Sequence, residues 1–259
     1  MKIICIDGFN SYLAKKFYNK YKEKYKIFKF KSDINNINEL KNFIDKKKIT
    51  IYIRFAGLSR SNCEIYPKRC YSTNYVANQK LVKFIKLKKI KLIFMSSSHI
   101  YSPSNKKINE KFNTSPNNNY GRFKLKSENY IKKHLDNYLI MRIFNIYGKD
   151  QPIGYFFSDM KEKIKNNKKI IINNSYRDFI HVNEVSRFIN FVLNKKLNGI
   201  FNVGSGKSYK LSNIIKMMSK KMKIKPNLLI NKTTDKLVSD NSLIKNKGFI
   251  VKNEKNLSY

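Results

Sequence analysis

Short apolar segments alternate with amphipathic helical segments along most of the chain, and this order constrains the fold more than any other feature. The segments predicted as strands are residues 2–6, 25–30, 49–55, 90–95 and 138–144. The segments predicted as helices between them are residues 12–17, 37–44, 74–85 and 120–135. Because parallel strands need crossover connections, the alternation predicts a parallel sheet with helices on both faces.

After residue 148 the periodicity is weaker, which predicts a smaller second lobe. Helices are expected near 156–166 and 184–193, with a strand near 170–172 and a mixed segment at the end. A polar stretch from Ser102 to Asn119 interrupts the alternation where the preceding strand ends. Long loops at the carboxyl edge of a parallel sheet usually carry function, so we expect functional residues around this stretch.

Length and hydropathy predict a folded globular protein. The chain has 259 residues, of which 41% are hydrophobic, enough for the core of one large domain or two unequal ones. No apolar run approaches the roughly 18 residues of a membrane span, and the N-terminal segment is too short for a secretory signal. We therefore expect no membrane partner.

The net charge of +38 would ordinarily indicate nucleic acid or an anionic membrane as a partner. Lysine, however, greatly outnumbers arginine and occurs with abundant Asn and Ile, as A+T-rich codons produce. The charge is spread along the chain, and proteins that bind phosphate backbones favour arginine for bidentate contacts. We expect no specific nucleic-acid partner, since a nucleic-acid-binding role would rest on charge alone.

The three cysteines, Cys5, Cys63 and Cys70, form no CxxC motif and no metal-binding spacing. Their odd number, in a chain without a signal peptide, predicts reduced thiols and a cytoplasmic location. Cys5 lies in an apolar run and is expected in the core. The three histidines also lack the spacing of a zinc site, so no metal is expected.

The turn after the first predicted strand has the spacing of a GxxGxxG motif, with Gly8, Ser11 and Ala14 at the three positions. A small second residue lets backbone N–H groups reach a pyrophosphate, and a small third residue allows close packing of helix on strand. Taken alone, the fragment is more simply an ordinary strand–helix turn.

The end of the second predicted strand lacks the acidic residue that usually binds a ribose 2′-hydroxyl. Lys29, Lys31 and Ser32 occupy this stretch, and the first acid is Asp33. Ammonium and hydroxyl groups there suit a 2′-phosphate, which favours NADP over NAD. In so lysine-rich a chain, solvated surface lysines are the simpler explanation.

Tyr120 and Lys124 lie one helical turn apart at the start of the helix that follows the polar stretch. Many Tyr–Lys pairs in this chain share that spacing, so the position of this pair is what distinguishes it. Upstream, Ser96, Ser97 and Ser98 place three hydroxyls at the end of a predicted strand. Ligands bind at the carboxyl ends of strands in open parallel sheets.

Eight motifs together resemble, in order and spacing, the NAD-dependent epimerase/dehydratase family of extended short-chain dehydrogenases/reductases, which act on nucleotide sugars. They are GFNSYLA at 8–14, FAG at 55–57, Asn74, SSSHIYS at 96–102, YGRFKLKSE at 120–128, RIFNIYG at 142–148, RDFIHVNE at 177–184 and FNVGSG at 201–206. The resemblance covers roughly residues 3–206. It implies an α/β fold with a Rossmann-type doubly wound parallel sheet and a smaller C-terminal substrate-binding lobe.

The resemblance also implies a catalytic set. Tyr120 would act as acid/base at the sugar, and Lys124 would favour its phenolate, because an isolated phenol has a pKa near 10. Ser97 would donate a hydrogen bond to the reacting oxygen. The alternatives are a surface Tyr–Lys pair and a serine that only caps its strand.

Four residues are implied to bind substrate: Ser98, His99, Asn145 and Arg177. Arg177 would pair with a nucleotide diphosphate, and its alternative role is a salt bridge to a neighbour. His99 stands where dehydratases of the family carry Glu. It is expected to shape the pocket, with proton transfer as the alternative, and dehydration is the least expected reaction.

The cofactor is implied to be NAD or NADP, with a modest preference for NADP. The residues implied to bind it are Gly8, Asn10, Ser11, Tyr12, Leu13, Lys29, Asp33, Ile34, Phe55, Ala56, Gly57, Ser96, Tyr120, Lys124 and Phe144.

The resemblance implies two domains, a dinucleotide-binding domain over 1–147, to which 183–202 return, and a substrate-binding lobe over 148–182 and 203–259. The expected function is an epimerase or 4-keto-sugar reductase acting on a nucleotide-activated sugar. The alternative is a non-catalytic dinucleotide-binding sensor or scaffold of the same fold. A homodimer is compatible with the resemblance.

Overall fold

The computed structural model of the chain describes residues 2–252 and residue 257. The strands are β1 (Ile3–Asp7), β2 (Lys26–Lys29), β3 (Ile51–Arg54), β4 (Lys91–Ser97), β5 (Tyr138–Ile143), β6 (Asn145–Tyr147), β7 (Ile170–Arg177), β8 (Phe179–His181), β9 (Gly199–Val203), β10 (Tyr209–Lys210) and β11 (Leu228–Leu237). The α-helices are α1 (Tyr12–Tyr21), α2 (Ile37–Lys47), α3 (Arg60–Ile65), α4 (Pro67–Tyr71), α5 (Ala77–Leu87), α6 (Asn119–His134), α7 (Phe156–Lys165), α8 (Val182–Lys195), α9 (Leu211–Met222) and α10 (Ser242–Asn246). None of the described helices has both the length and the apolar character needed to cross a membrane.

The main sheet has six strands in the order β2-β1-β3-β4-β5-β9. The pairs β1–β2, β1–β3, β3–β4 and β4–β5 are all parallel. The order reverses at β1, where the chain first builds outward to β2 and then continues on the other side with β3. This confirms the predicted doubly wound parallel sheet.

Both faces of this sheet are buried, as parallel sheets require. On β1 the side chains of Ile4 and Ile6 alternate with that of Cys5, and all three are fully buried. Cys5 packs with Tyr52 and Phe94 in one cluster, which also takes in apolar residues of α2 and α5. Cys5 is a free cysteine in the core, as predicted.

The chain divides into two compact units. The first comprises 1–102, 113–143 and 185–201, and the second comprises 103–112, 144–184 and 202–259. The segment 103–112 thus belongs to the second unit, whereas the expected boundaries gave it to the first domain. In the second unit, β10-β7-β11 form one small sheet and β6-β8 another, and helices α7 and α9 pack into a shared apolar core.

The region between β3 and α5 differs most from the prediction. It holds two short helices, α3 and α4, and a π-helical segment, Ser72–Val76, before α5 begins at Ala77. Cys63 on α3 and Cys70 on α4 form a disulfide bond. The prediction that these two cysteines are reduced thiols is therefore wrong. Their spacing gave no signal because the turn between two short helices, not a sequence motif, places the sulfurs side by side.

A buried ion pair connects α6 to the sheet. Arg142 on β5 donates to the Glu128 carboxylate on α6 through Nε and Nη2, with the Nη2–Oε2 distance at 2.7 Å. Arg142 Nη1 also donates to the Tyr101 hydroxyl at 2.6 Å, and Ser96 Oγ donates to Glu128. Both charged side chains are almost fully buried. The network thus sets the position of α6 against β4 and β5.

We expect Arg142→Met to lower the free energy of unfolding by about 3–5 kcal/mol, because it leaves the Glu128 carboxylate buried without its cation. Urea denaturation measures this loss. The matched control is Lys168→Met, which breaks the exposed Lys168–Glu162 pair and should cost at most about 1 kcal/mol. Equal losses in the two variants would contradict this account of α6.

Candidate functional site

The turn between β1 and α1 depends on Gly8. Its φ is +59°, and a Cβ at this position would lie 2.4 Å from the backbone nitrogen of Ala56. Only glycine fits so close to a neighbouring main chain in this conformation. Ser11 then caps α1 by accepting a hydrogen bond from the Ala14 N–H at 3.3 Å. The turn is therefore tight and lies directly against the loop after β3.

A second buried ion pair joins the carboxyl ends of β1 and β3. Asp7 Oδ2 accepts from Arg54 Nη1 at 2.7 Å and from the Tyr52 hydroxyl at 3.1 Å, and Asp7 Oδ1 accepts from the Ala56 N–H at 2.8 Å. Arg54 Nη2 donates to the Thr73 carbonyl at 2.7 Å. Arg54 and Asp7 are each about 1% exposed. The sequence prediction missed this pair.

Lys124 lies buried on α6 with its ammonium at the edge of the sheet. Its Nζ donates to the Met95 carbonyl on β4 at 2.7 Å, and lies 3.5 Å from where a Cβ would be at Gly57. Burial and the nearby charge of Arg54 lower the pKa of Lys124 from 10.5 to about 7, although Asp7 and Glu128 act in the opposite direction. Its charge is thus sensitive to pH in the neutral range.

Tyr120 lies in the first turn of the same helix. The Lys124 Nζ lies 5.7 Å from the centroid of the Tyr120 ring, and the His99 ring meets Tyr120 edge to face at 5.9 Å. Gly121 allows this approach, because a Cβ there would lie 2.1 Å from the His99 carbonyl oxygen. The structure thus brings Tyr120, Lys124 and His99 together.

Ser97 ends β4 beside this group. Its Oγ accepts from the His99 N–H at 3.2 Å and caps the 3₁₀ turn Ser98–Ile100. This contact fits the alternative role of a strand-capping serine. A hydroxyl that accepts a hydrogen bond still has a proton to donate, so the contact leaves the catalytic role open as a proposal.

The end of β2 differs from a simple cationic site. The Lys29 ammonium lies against two aromatic rings, 4.5 Å from the centroid of Phe9 and 4.4 Å from that of Tyr18. Lys31 is exposed. Ser32 Oγ donates to the Glu39 carboxylate, so an acid lies beside this stretch that the sequence prediction did not consider.

The remaining cofactor candidates of the first unit lie near the ends of four strands, β1 to β4. Asn10 is exposed, and Tyr12 and Leu13 are buried at the start of α1. Asp33 Oδ1 accepts from the Asn35 N–H, and Ile34 is buried. The others are buried Phe55, half-buried Ala56 and exposed Gly57 after β3, and buried Ser96 on β4.

Three further candidates lie in the second unit. Phe144 is buried there, and Asn145 Nδ2 donates to the Asp178 carbonyl at 3.0 Å. Arg177 forms an ion pair with Asp235 and donates to the Tyr176 carbonyl at 2.9 Å. The ion pair fits the alternative role of Arg177 as a salt-bridge residue.

Sequence reasoning missed Asp178, which lies at the centre of the second unit. Its carboxylate is fully buried and accepts from Ser205 N–H and Oγ, from the Gly206 N–H, and from Ser239 N–H and Oγ. Burial raises the pKa of Asp178, while these hydrogen bonds oppose the rise. Asp178 lies inside the motif at 177–184, directly after Arg177.

Residues 12–204 match the model of the NAD dependent epimerase/dehydratase family. The chain belongs to this family. The match confirms the family that the eight motifs indicated, which is an enzyme family that uses NAD. The matched region ends within the last of those motifs.

Solved structures of nucleotide-sugar enzymes share the fold. A dTDP-4-dehydrorhamnose reductase from Bacillus anthracis, in complex with NADP, is 22% identical, with 97% of this chain and 94% of that chain covered and a TM-score of 0.84. A UDP-glucose 4-epimerase from Thermus thermophilus, in complex with NAD, is 15% identical, with coverage of 98% and 95% and a TM-score of 0.86. A dTDP-glucose 4,6-dehydratase from Bacillus anthracis, in complex with NAD, is 17% identical, with coverage of 100% and 94% and a TM-score of 0.86.

The β1–α1 turn fits the pyrophosphate of a dinucleotide. The first turn of α1 contains no acidic residue that would repel an anion at the positive end of the helix dipole. Gly8 and Gly57 themselves add no side chain to the two loops. Ser11 is small, although its hydroxyl oxygen already accepts from the helix backbone.

The pKa of Lys124 gives a prediction for stability. In the window between about pH 7 and about pH 10, the unfolded chain holds a proton on Lys124 that the folded chain has released. This residue therefore makes the free energy of unfolding rise with pH in that window. Urea denaturation of the wild type and of Lys124→Met at both ends of the window measures the effect, which the variant should lack. Lys126→Met, at an exposed position on the same helix, should behave like the wild type, and a loss of the rise in this control would contradict the assignment.

Proposed function

We propose that the protein is an NAD(P)-dependent nucleotide-sugar epimerase or 4-keto-sugar reductase in which Tyr120 is the acid/base. The observation that carries the proposal is the buried Lys124 ammonium beside the Tyr120 ring, on one face of α6 and at the end of β4. Ser97 ends the same strand. A tyrosine, a lysine and a serine hydroxyl at the carboxyl edge of a parallel sheet have the chemistry that proton transfer at a sugar oxygen needs.

A dinucleotide held by the β1–α1 turn and the loop after β3 would supply the hydride transfer. Tyr120 takes the proton from the sugar hydroxyl during oxidation, or gives it to the carbonyl oxygen during reduction. Lys124 stabilises the Tyr120 phenolate when it is protonated, and the pKa of Lys124 of about 7 makes this support strongest below neutral pH. Ser97 orients the reacting oxygen by donating its hydroxyl proton.

The family supports the substrate class. The reductase, epimerase and dehydratase described above are named for dTDP- and UDP-linked sugars. Asn145, Arg177, Ser98 and His99 are the proposed substrate residues. Arg177 and Asp235 form an ion pair through Arg177 Nη1. A diphosphate would therefore bind the other nitrogens of the guanidinium or displace Asp235.

The second candidate function is a non-catalytic dinucleotide-binding sensor or scaffold. The Ser11 and Ala14 replacements in the glycine motif favour it, while the intact Ser97, Tyr120 and Lys124 set favours catalysis. Native mass spectrometry for retained cofactor, followed by a panel of UDP- and dTDP-sugars, separates the two. An epimerase converts sugars with its retained cofactor, whereas a reductase needs added NAD(P)H, and a sensor binds dinucleotide but converts none of the panel.

We expect Tyr120→Phe to lower turnover by about 10²- to 10⁴-fold while the fold and dinucleotide affinity stay near wild type, because only the hydroxyl is lost. The measurement combines turnover on the best sugar of the panel with the dissociation constant for the dinucleotide.

The matched control for this substitution is Tyr130→Phe. Tyr130 lies on the same helix and stacks on His134 at 4.0 Å, so this variant should keep wild-type turnover. If Tyr120→Phe also converts sugar at the wild-type rate, Tyr120 is not the acid/base.

Cofactor choice gives a separate prediction. We propose a modest preference for NADP(H), because Lys29 and Lys31 lie where a 2′-phosphate would be bound, although Glu39 nearby reduces the effect. One partly exposed contact of this kind contributes about 1–3 kcal/mol, or roughly 5- to 150-fold in affinity. Salt should weaken the preference by screening the lysines.

Dissociation constants for NADP(H) and NAD(H) at low and high salt measure this preference, on the wild type and on a Lys29→Ala/Lys31→Ala double variant. The double variant should lose the preference. Lys15→Ala/Lys20→Ala, at exposed positions of α1, serves as the control for general charge. Tighter binding of NAD(H) by the wild type, unaffected by the double substitution, would refute the prediction.

A further inference from the structure

We propose that Cys63 and Cys70 are a redox-responsive site that exchanges with a protein or small-molecule dithiol and thereby regulates the proposed active site. The part that concerns cofactor binding rests on the proposed function. The two cysteines lie outside the residues that carry the chemistry, and their disulfide joins α3 to α4. The third cysteine, Cys5, is free and buried, and takes no part.

The disulfide holds together a segment that has little structure of its own. We define the α3–α4 segment as residues 59–71. Its helices have six and five residues, and helices this short do not persist in isolation. Around the two buried sulfurs, the side chains of Ile65, Tyr66 and Tyr71 are 64%, 55% and 42% exposed. Reduction therefore removes a covalent cross-link from a segment whose two helices are too short to hold their shape alone.

The disulfide adjoins the loop after β3 through Asn74. The Asn74 Nδ2 lies 3.4 Å from the Cys63 sulfur and 3.3 Å from the Cys70 sulfur. The same side chain accepts from the Leu58 N–H at 2.8 Å and donates to the Leu58 carbonyl at 3.2 Å. Leu58 follows Gly57 in the proposed cofactor loop, so the side chain that fixes this loop also lies against both sulfurs.

The α3–α4 segment also contacts the helix that carries Tyr120 and Lys124. On α3, Glu64 Oε1 accepts from the backbone N–H of Asn119, the residue before Tyr120, at 3.0 Å. On α4, the ring of Tyr71 meets that of Phe123 at 5.4 Å. One segment thus contacts α6 immediately before each of the two proposed catalytic residues.

The redox step is an ordinary thiol–disulfide exchange. A thiolate of the dithiol attacks one of the two sulfurs, the Cys63–Cys70 bond breaks, and a mixed disulfide forms. The second thiol of the reductant then displaces the remaining cysteine. Two electrons pass to the protein, which gains two thiols, and the reductant becomes a disulfide. Because both sulfurs are buried, the exchange proceeds through local opening of the α3–α4 segment.

The test begins with a titration of the folded protein in dithiothreitol redox buffers, read by alkylation and mass spectrometry. Hydrogen exchange at the amides of Leu58 and Asn119 is then compared in the oxidised and reduced forms, and the dinucleotide dissociation constant is measured in both. We expect exchange at these amides and the dissociation constant to rise by about fivefold or more on reduction.

The Cys63→Ser/Cys70→Ser double variant should show the hydrogen exchange and the dissociation constant of the reduced form in every redox buffer. The Cys5→Ser variant should respond to the buffer like the wild type. Equal exchange in the two redox states, or a disulfide that yields only on unfolding, overturns the proposal. Faster exchange with an unchanged dissociation constant overturns the regulatory part. If neither form binds dinucleotide, the proposed function fails, while the exchange data still decide the redox response.

Discussion

The buried ion pair between Asp7 and Arg54 is the interaction on which the proposed site depends. It closes the ends of β1 and β3 against each other, and through the Ala56 N–H it also fixes the loop that faces Gly8. Burial of an ion pair is less costly when its other hydrogen bonds are made, and the Tyr52 hydroxyl and the Thr73 carbonyl supply two of them, whereas the buried Arg54 Nε has no partner among the described residues. Burial is the main cause of the lowered pKa of Lys124, and the same guanidinium adds to it while Asp7 opposes it. One pair of charges thus fixes the shape of the proposed cofactor turn and also acts on the proposed catalytic lysine.

Much of the sheet could be predicted because its signal is local. Five apolar runs separated by amphipathic segments are enough to specify parallel strands with crossover helices, and the structure has β1 to β5 at these runs. Tyr120 and Lys124 could be proposed as catalytic residues only from their position after the polar stretch and among the other motifs, because the same Tyr–Lys spacing recurs by chance elsewhere in the chain. The burial of Lys124 depends on packing against β4 and Gly57, and no pattern of neighbouring residues encodes it.

Most of what the sequence did not predict depends on contacts between residues that are distant in the chain. Asp7 and Arg54 are 47 positions apart, and each alone looks like an ordinary charge at a strand end. The hydroxyl groups that donate to Asp178 belong to Ser205 and Ser239, which are 27 and 61 positions away in the chain. Prediction of the disulfide would have required the positions of α3 and α4, and these helices are too short to give a periodic pattern in the sequence. Charged pairs and sulfur pairs of this kind become visible only when the turns between elements are known.

The interleaving of the two units along the chain has a consequence for how the protein is made. The first unit includes 185–201, and the second starts with 103–112 and needs β11, which pairs with β7 about 60 positions earlier. Neither unit can therefore finish folding while the ribosome has synthesised only the first half of the chain. Residues 144–184 emerge before residues 202–259 of the same unit are synthesised, so their apolar side chains stay exposed until then. Synthesis of this protein should accordingly depend on chaperones that hold nascent chains, more than for a protein whose domains follow one another in sequence.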